Sequence, residues 1–140
     1  MGRDTTTGHV LESMILPALE RGGYLYEKQV VIGQRLGGRK HQVDVLLTAQ
    51  GGGQIPVSLK WQQVSGTAEQ KVPFEIMCLA DAVLKSEGKY RKAYLVLAGE
   101  GWTLKQFYLS TGLAAYLKNC ETVEIVPLEG FVAKANEGKL

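Results

Sequence analysis

Two apolar segments joined by glycines constrain the fold of this chain most strongly. Residues 41–48 and 54–62 have strand-forming composition, and the three glycines at 51–53 predict a tight turn between them. Asp44 lies in the middle of the first segment, between two valines, and Lys60 lies near the end of the second. A carboxylate inside an apolar strand is costly unless a partner neutralises it. We therefore expect a hairpin that brings Asp44 and Lys60 together.

Side-chain parity predicts which residues accompany this pair. Folding the hairpin about its glycine turn places Asp44 opposite residue 59 or 60. One face of the hairpin then carries four polar side chains: Asp44, Ser58, Lys60 and Gln62. An acid, a lysine, a hydroxyl and an amide converge on one patch. The alternative is a buried Asp–Lys ion pair in a structural network, because structural ion pairs are common.

The rest of the chain predicts one α/β domain around this hairpin. Apolar periodicity and turn residues indicate helix 8–21, strand 24–32, a helix from 67 or 73 to 86, strand 90–98, helix 103–118 and strand 122–128. This order favours a mixed central sheet flanked by helices. A chain of 140 residues holds a single domain. We expect its core to cover about residues 8–128, with short flexible N-terminal and C-terminal ends.

Composition excludes several classes of protein. No apolar run approaches the roughly 18 residues of a membrane span, and no secretory signal follows the first seven residues. Two cysteines in such a chain do not indicate a disulfide framework or a zinc cluster. The net charge of +2 leaves room only for a local basic patch. We expect a cytoplasmic protein of prokaryotic or viral type that contacts no membrane.

Two further carboxylates lie beside faces that should be buried. Glu12 lies close to the apolar face of the first helix, and Glu75 stands between Phe74 and Ile76 at the start of the second. One lysine cannot neutralise three carboxylates. Clustered carboxylates favour a hard divalent cation, Mg²⁺ or Mn²⁺.

This arrangement resembles the PD-(D/E)XK nuclease superfamily. The resemblance rests on Glu12 in the early helix, on Asp44, and on the Ser-Leu-Lys triplet 58–60 across a hairpin. It covers residues 8–128. It implies a restriction-endonuclease-like αβββαβ core that hydrolyses phosphodiester bonds in double-stranded DNA with Mg²⁺, for which Mn²⁺ can substitute.

Two positions depart from the pattern of that superfamily. Val43 stands where a proline is usual, and Ser58 stands where the second acid is usual. One subgroup of restriction enzymes also has a serine there, and its acid comes from the following helix. Glu75, fifteen residues beyond Lys60, takes that role by resemblance, and Glu69, nine residues beyond, is the alternative.

The resemblance also implies a role for each site residue. It assigns four metal ligands: Asp44, Glu75, the Leu59 carbonyl, and Glu12 directly or through water. Lys60 orients or helps to deprotonate the attacking water and stabilises developing negative charge. Ser58 and Gln62 position water or phosphate.

Basic and polar residues on two loops are candidate DNA contacts. The first loop is rich in glycine and arginine, which suits close approach to phosphate, and the second follows the catalytic strand. The candidates are Arg35, Arg39, Lys40, Gln63, Ser65, Thr67 and Lys71. A solvated hairpin turn is the alternative for the first loop.

These features favour a Mg²⁺-dependent DNA endonuclease of restriction or homing type. One alternative is a structure-selective nuclease, a Holliday junction resolvase or repair enzyme, which Gln62 and Glu12 favour. Another is a nucleic-acid-binding domain that has lost its metal, which Ser58 favours. Apolar residues in the third helix, such as Phe107 and Leu113, predict a homo-oligomer (a dimer or a dimer of dimers), with core packing as the alternative.

Overall fold

The computed structural model describes residues 6–110 and 112–140 and contains one five-stranded mixed sheet. Its strands follow chain order: β1 (Leu25–Gln34), β2 (Lys40–Thr48), β3 (Gln54–Trp61), β4 (Ala93–Ala98) and β5 (Val123–Pro127). The first three strands are antiparallel, whereas β4 and β5 run parallel to β3. The expected α/β class, with a mixed sheet flanked by helices in a restriction-endonuclease-like core, is confirmed.

Helices pack on both faces of this sheet. The N-terminal segment is continuous and consists of α1 (Thr6–Val10), a π-helical turn (Leu11–Ile15) and α2 (Leu16–Arg21). Pro17 has no N–H to donate in the first turn of α2, which accounts for the break in regular α-helical bonding just before it. The later helical segments are a 3₁₀ turn (Ala68–Lys71), α3 (Val72–Lys85), α4 (Lys105–Leu109), a 3₁₀ turn (Leu113–Ala115) and α5 (Leu128–Asn136).

No helix in the described part of the chain is long and apolar enough to cross a membrane.

Two hydrophobic clusters lie on opposite faces of the sheet. The first cluster packs β-strand side chains against α1, α2 and α5, and the second packs them against α3 and α4. Strand β4 is buried along its whole length and contributes Tyr94 and Val96 to the first cluster and Leu95 and Leu97 to the second. This alternation follows from the two-residue period of a strand.

The alternation breaks at Asp44. Val45 packs in the first cluster, but Val43, which shares its parity, packs in the second. On β1, at the position that faces Asp44, Gln29 has a φ of 53°, in the left-handed region. The two strands therefore change phase together, so Val43 faces the opposite side of the sheet from Val45 and Leu47 although simple alternation would put all three on one face.

The predicted helix 103–118 is wrong. Among its described residues, 103–110 and 112–118, only α4 and the second 3₁₀ turn are helical, and the backbone of Ser110 after α4 is extended. Gly112 lies so close to Phe107 that a Cβ there would stand 2.7 Å from a ring carbon. A glycine held against that ring closes the turn after α4 tightly.

The core continues beyond residue 128, contrary to the expectation of a flexible C-terminal end. Phe131 and Ala135 of α5 are fully buried in the first cluster. A Cβ on Gly22 would lie 1.8 Å from the carbonyl oxygen of Ala135, so α5 packs directly on the end of α2. The expected flexible N-terminal end lies mostly outside the described residues.

Candidate active site

Asp44 lies where β2 and β3 separate. The pairing of β2 with β3 ends at the pair Val45–Val57. Just beyond it, the Leu59 N–H donates a hydrogen bond to Asp44 Oδ2 at 2.7 Å. This register brings Asp44 beside Ser58, so the predicted position opposite residue 59 or 60 is wrong. Because the N–H and carbonyl of one strand residue point to the same side, the Leu59 carbonyl also faces β2.

Glu75 projects from α3 into the same region. Its side chain is only 2% exposed. Ser58 Oγ donates to Glu75 Oε2 at 2.7 Å, and His41 Nε2 lies 2.9 Å from that same oxygen. Arg35 Nη2 lies 2.8 Å from the other oxygen, Oε1. Burial raises the pKa of Glu75, but hydrogen bonds from His41 and Ser58, with the nearby charge of Lys60, outweigh burial and hold the pKa at about 2.

The charges of Asp44, Lys60 and Glu75 act on one another. Burial raises the pKa of Asp44, and the negative charge of Glu75 raises it further. The Leu59 N–H and the charge of Lys60 oppose this rise without cancelling it. Asp44 is therefore a half-buried carboxylate whose negative charge is only partly compensated.

The donor atoms at this place fit a divalent cation. Two carboxylates, Asp44 and Glu75, and the Leu59 carbonyl are the oxygen ligands that Mg²⁺ prefers. A cation would also relieve the repulsion that raises the pKa of Asp44. Within residues 6–110 and 112–140, no three His, Cys, Asp or Glu side chains are grouped to hold a metal. Glu12 does not complete such a group, and it forms an exposed salt bridge with Lys28 at 2.5 Å.

Glu69, the alternative acid, lies in a separate buried network. Gln62 Nε2 donates to Glu69 Oε1 at 3.0 Å and to the Gly101 carbonyl at 2.7 Å, and the Glu69 N–H donates back to Gln62 Oε1. The N–H and hydroxyl of Thr103 donate to the two carboxylate oxygens of Glu69. These Thr103 bonds lower the pKa of Glu69, outweighing burial. We call residues 62, 69, 101 and 103 the Glu69 latch.

The structure therefore brings together five of the predicted site residues: Asp44, Ser58, Leu59, Lys60 and Glu75. Gln62 belongs instead to the Glu69 latch, where both ends of its amide are engaged. Glu12 remains on the surface of the N-terminal helical segment.

Six of the seven predicted DNA contacts are exposed: Arg39, Lys40, Gln63, Ser65, Thr67 and Lys71. Gly37 and Gly38 turn the tip of the β1–β2 hairpin with φ values of 105° and 99°. Arg35, the seventh, turns inward to Glu75 and also lies over the Phe74 ring at 5.8 Å. It is therefore a neighbour of the carboxylates.

Sequence reasoning missed His41 as a site residue. It is completely buried at the start of β2 and contacts Glu75. Its parity with Val43, which also faces α3, is the signal that could have placed it there.

The fold and this centre define an α/β domain in which a buried and a half-buried carboxylate interact with the charge of a lysine. A family model described as a PD-(D/E)XK nuclease superfamily domain matches residues 3–139. The chain belongs to that superfamily, and the predicted family is confirmed. No curated protein matches the chain.

Proposed function

We propose that this chain is a metal-dependent DNA endonuclease that hydrolyses phosphodiester bonds, of restriction or homing type. The observation that carries the proposal is that the half-buried Asp44 and the buried Glu75 interact electrostatically with each other and with Lys60, in a chain of the PD-(D/E)XK nuclease superfamily. The proposed cofactor is Mg²⁺, for which Mn²⁺ can substitute. The Ser-X-Lys form of the motif, with Glu75 as the displaced acid, is part of the proposal.

The chemistry follows from the charges of these groups. Asp44, Glu75 and the Leu59 carbonyl would hold the cation, which when bound polarises a phosphate and acidifies a water. The charge of Lys60 lowers the pKa of both carboxylates, which supports a position near the cation. Its proposed role is to orient the attacking water and to stabilise negative charge that develops on the phosphate.

Exposed residues on two loops are proposed to hold double-stranded DNA. Arg39 and Lys40 lie at the glycine-rich tip of the β1–β2 hairpin, and Lys71 lies in the 3₁₀ turn that leads into α3. Phosphate contacts of this kind position the duplex independently of its sequence. Leu104 and Phe107, just before and on α4, remain more than one-third exposed, which supports a homo-oligomer. A cytoplasmic location is part of the same proposal.

Particular contacts bear on the two alternative functions, a structure-selective nuclease and a metal-less nucleic-acid-binding domain. The engagement of Gln62 in the Glu69 latch, and of Glu12 with Lys28, removes the two observations that favoured a structure-selective nuclease. The contact of Arg35 with Glu75 Oε1 favours a metal-less nucleic-acid-binding domain, because the guanidinium already neutralises that carboxylate.

Digestion of plasmid, linear and branched DNA with Mg²⁺, Mn²⁺ or EDTA tests the proposal. We expect cleavage with either metal and none with EDTA. Asp44→Ala and Lys60→Ala should each reduce the cleavage rate by about 10²-fold or more, while DNA binding in a gel-shift assay survives. Asp81→Ala and Lys85→Ala, which remove a salt bridge on α3, are the matched controls.

The outcomes separate the enzyme from the binding domain. DNA binding without cleavage of any substrate, together with no Mg²⁺ binding by calorimetry, would favour the metal-less domain. A Lys60→Ala variant with a nearly normal rate would refute the role of that lysine alone.

A further inference from the structure

Two buried donors from different strands hold the same oxygen of Glu75. Ser58 on β3 is 3% exposed and His41 on β2 is fully buried. Both contact Oε2, at 2.7 and 2.9 Å. Because an ionised carboxylate only accepts hydrogen bonds, the Ser58 hydroxyl is one donor, and the other is His41 in the tautomer with its hydrogen on Nε2.

These contacts make the two oxygens of Glu75 unequal. Oε2 is fixed on the interior side, between β2, β3 and α3. Oε1 is also buried, but among the described residues no hydrogen bond reaches it, and its neighbour at 2.8 Å is Nη2 of Arg35, whose side chain is 28% exposed. Two donors on one oxygen also fix the rotation of the carboxylate about its terminal bond.

Packing alone does not explain a histidine at position 41. Its Nδ1 is buried and has no hydrogen-bond partner among the described residues, which lowers stability. An apolar side chain would fill that interior space without this cost. What a histidine adds there is the Nε2 donor to Glu75.

We infer that His41 and Ser58 are positioning residues that orient Glu75 so that Oε1 serves as the metal ligand. Ser58 occupies the position where the motif usually has its second acid. In this inference, its hydroxyl orients Glu75, the acid from α3 that replaces it. This inference rests on the proposed function and explains how an acid on a helix is oriented by the two strands of the predicted hairpin. Partners that orient a ligand in this way typically contribute about 10- to 100-fold to metal affinity.

Titration of the whole chain with Mn²⁺, followed by calorimetry, tests the inference. His41→Phe and Ser58→Ala should each weaken Mn²⁺ binding by about 10- to 100-fold. His41→Gln and Ser58→Thr, which keep a donor, should recover most of it. His9→Phe and Ser13→Ala, on the exposed surface of the N-terminal helical segment, should bind Mn²⁺ as the wild type does.

A double-mutant cycle separates positioning from general loss of structure. In a Glu75→Gln background, His41→Phe should have no further effect on Mn²⁺ affinity, because the oriented oxygen is already altered. In DNA cleavage, Ser58→Ala should lower kcat and leave KM almost unchanged, since Ser58 contacts Glu75 rather than the substrate. Thermal unfolding verifies that each variant is folded. If His41→Phe does not fold, the Mn²⁺ affinity of Ser58→Ala tests the inference by itself.

The failure of this inference differs from the failure of the proposed function. No Mn²⁺ binding by the wild type would overturn both. Binding by the wild type, with Ser58→Ala and every folded His41 variant within twofold of it, would overturn the inference alone.

Discussion

Glu69 and Glu75 are two buried glutamates six residues apart, and each is bound by a side chain of β3 or its C-terminal end. Glu69 is held by Gln62 and Thr103, which are neutral donors. Glu75 is held by Ser58 and His41 and lies among charged groups that include a second carboxylate. The two glutamates therefore lie in different electrostatic environments, one with neutral donors and one with charged neighbours.

The difference shows that a lowered pKa does not by itself mark a functional acid. The pKa is lowered at both glutamates, by Thr103 at one and mainly by His41 and Ser58 at the other. What distinguishes Glu75 is its neighbour Asp44, whose pKa is raised. A cation binds most favourably where the protein leaves negative charge uncompensated.

Paired substitutions of the two glutamates should give the largest contrast. Glu75→Gln should lower the cleavage rate by about 10³-fold, because it removes a proposed ligand charge. Glu69→Gln should leave the rate within a few-fold but lower the Tm by about 5 °C, because an amide nitrogen would face the donors of Gln62 and Thr103. Cleavage assays and thermal unfolding measure the two effects. An inactive, fully stable Glu69→Gln protein would reverse the assignment of the two acids.

The next largest expected difference is in how acid lowers the stability of the wild type and of Glu75→Gln. Because the pKa of Glu75 falls from 4.5 to about 2 on folding, its contribution to stability is complete above pH 4.5 and is lost as the pH falls toward 2. The loss corresponds to about 3 kcal/mol in the free energy of unfolding. Urea denaturation at pH 6 and pH 2.5 measures it, and Glu75→Gln should show a smaller decline. Equal declines in the two proteins would contradict this account.

The smallest expected effect on stability has the opposite sign and concerns Asp44. Because the folded protein raises the pKa of Asp44, the ionised form of that side chain works against folding at neutral pH. Asp44→Asn keeps an oxygen acceptor for the Leu59 N–H and removes the charge. We expect it to abolish cleavage yet stabilise the fold by about 1 kcal/mol. Asp81→Asn is the control. If the Tm of Asp44→Asn is below that of the wild type, the charge of Asp44 stabilises the folded protein, contrary to this prediction.

Much of the site could be predicted from the sequence because its residues lie on well-marked elements. Asp44 is a charge inside an apolar strand, and a glycine turn brings Lys60 back beside it. For the proposed replacement acid, the sequence leaves two candidates, Glu69 and Glu75. The contacts that set Glu69 apart, from Thr103 before α4 and Tyr108 on α4, come from residues distant in sequence.

Other features depend on tertiary contacts that periodicity does not contain. The burial of His41 follows a change of strand phase at Gln29, which lies on a different strand from the residue it affects. Arg35 turns inward because Glu75 and Phe74 lie beneath its loop. The helix α5 did carry a signal, since Leu128, Phe131 and Ala135 recur at three- and four-residue steps, but the glycine at 130 obscured it.

The packing of α5 on α2 also has a consequence for how the domain is made. The contact between Gly22 and Ala135 joins residues more than one hundred positions apart, so the first cluster closes only after the chain from the first helices to α5 is present. Contacts of such sequence separation slow folding because the intervening chain must first lose conformational entropy. We expect the domain to fold as one unit, so that its carboxylate centre forms only once the residues of α5 have joined the first cluster.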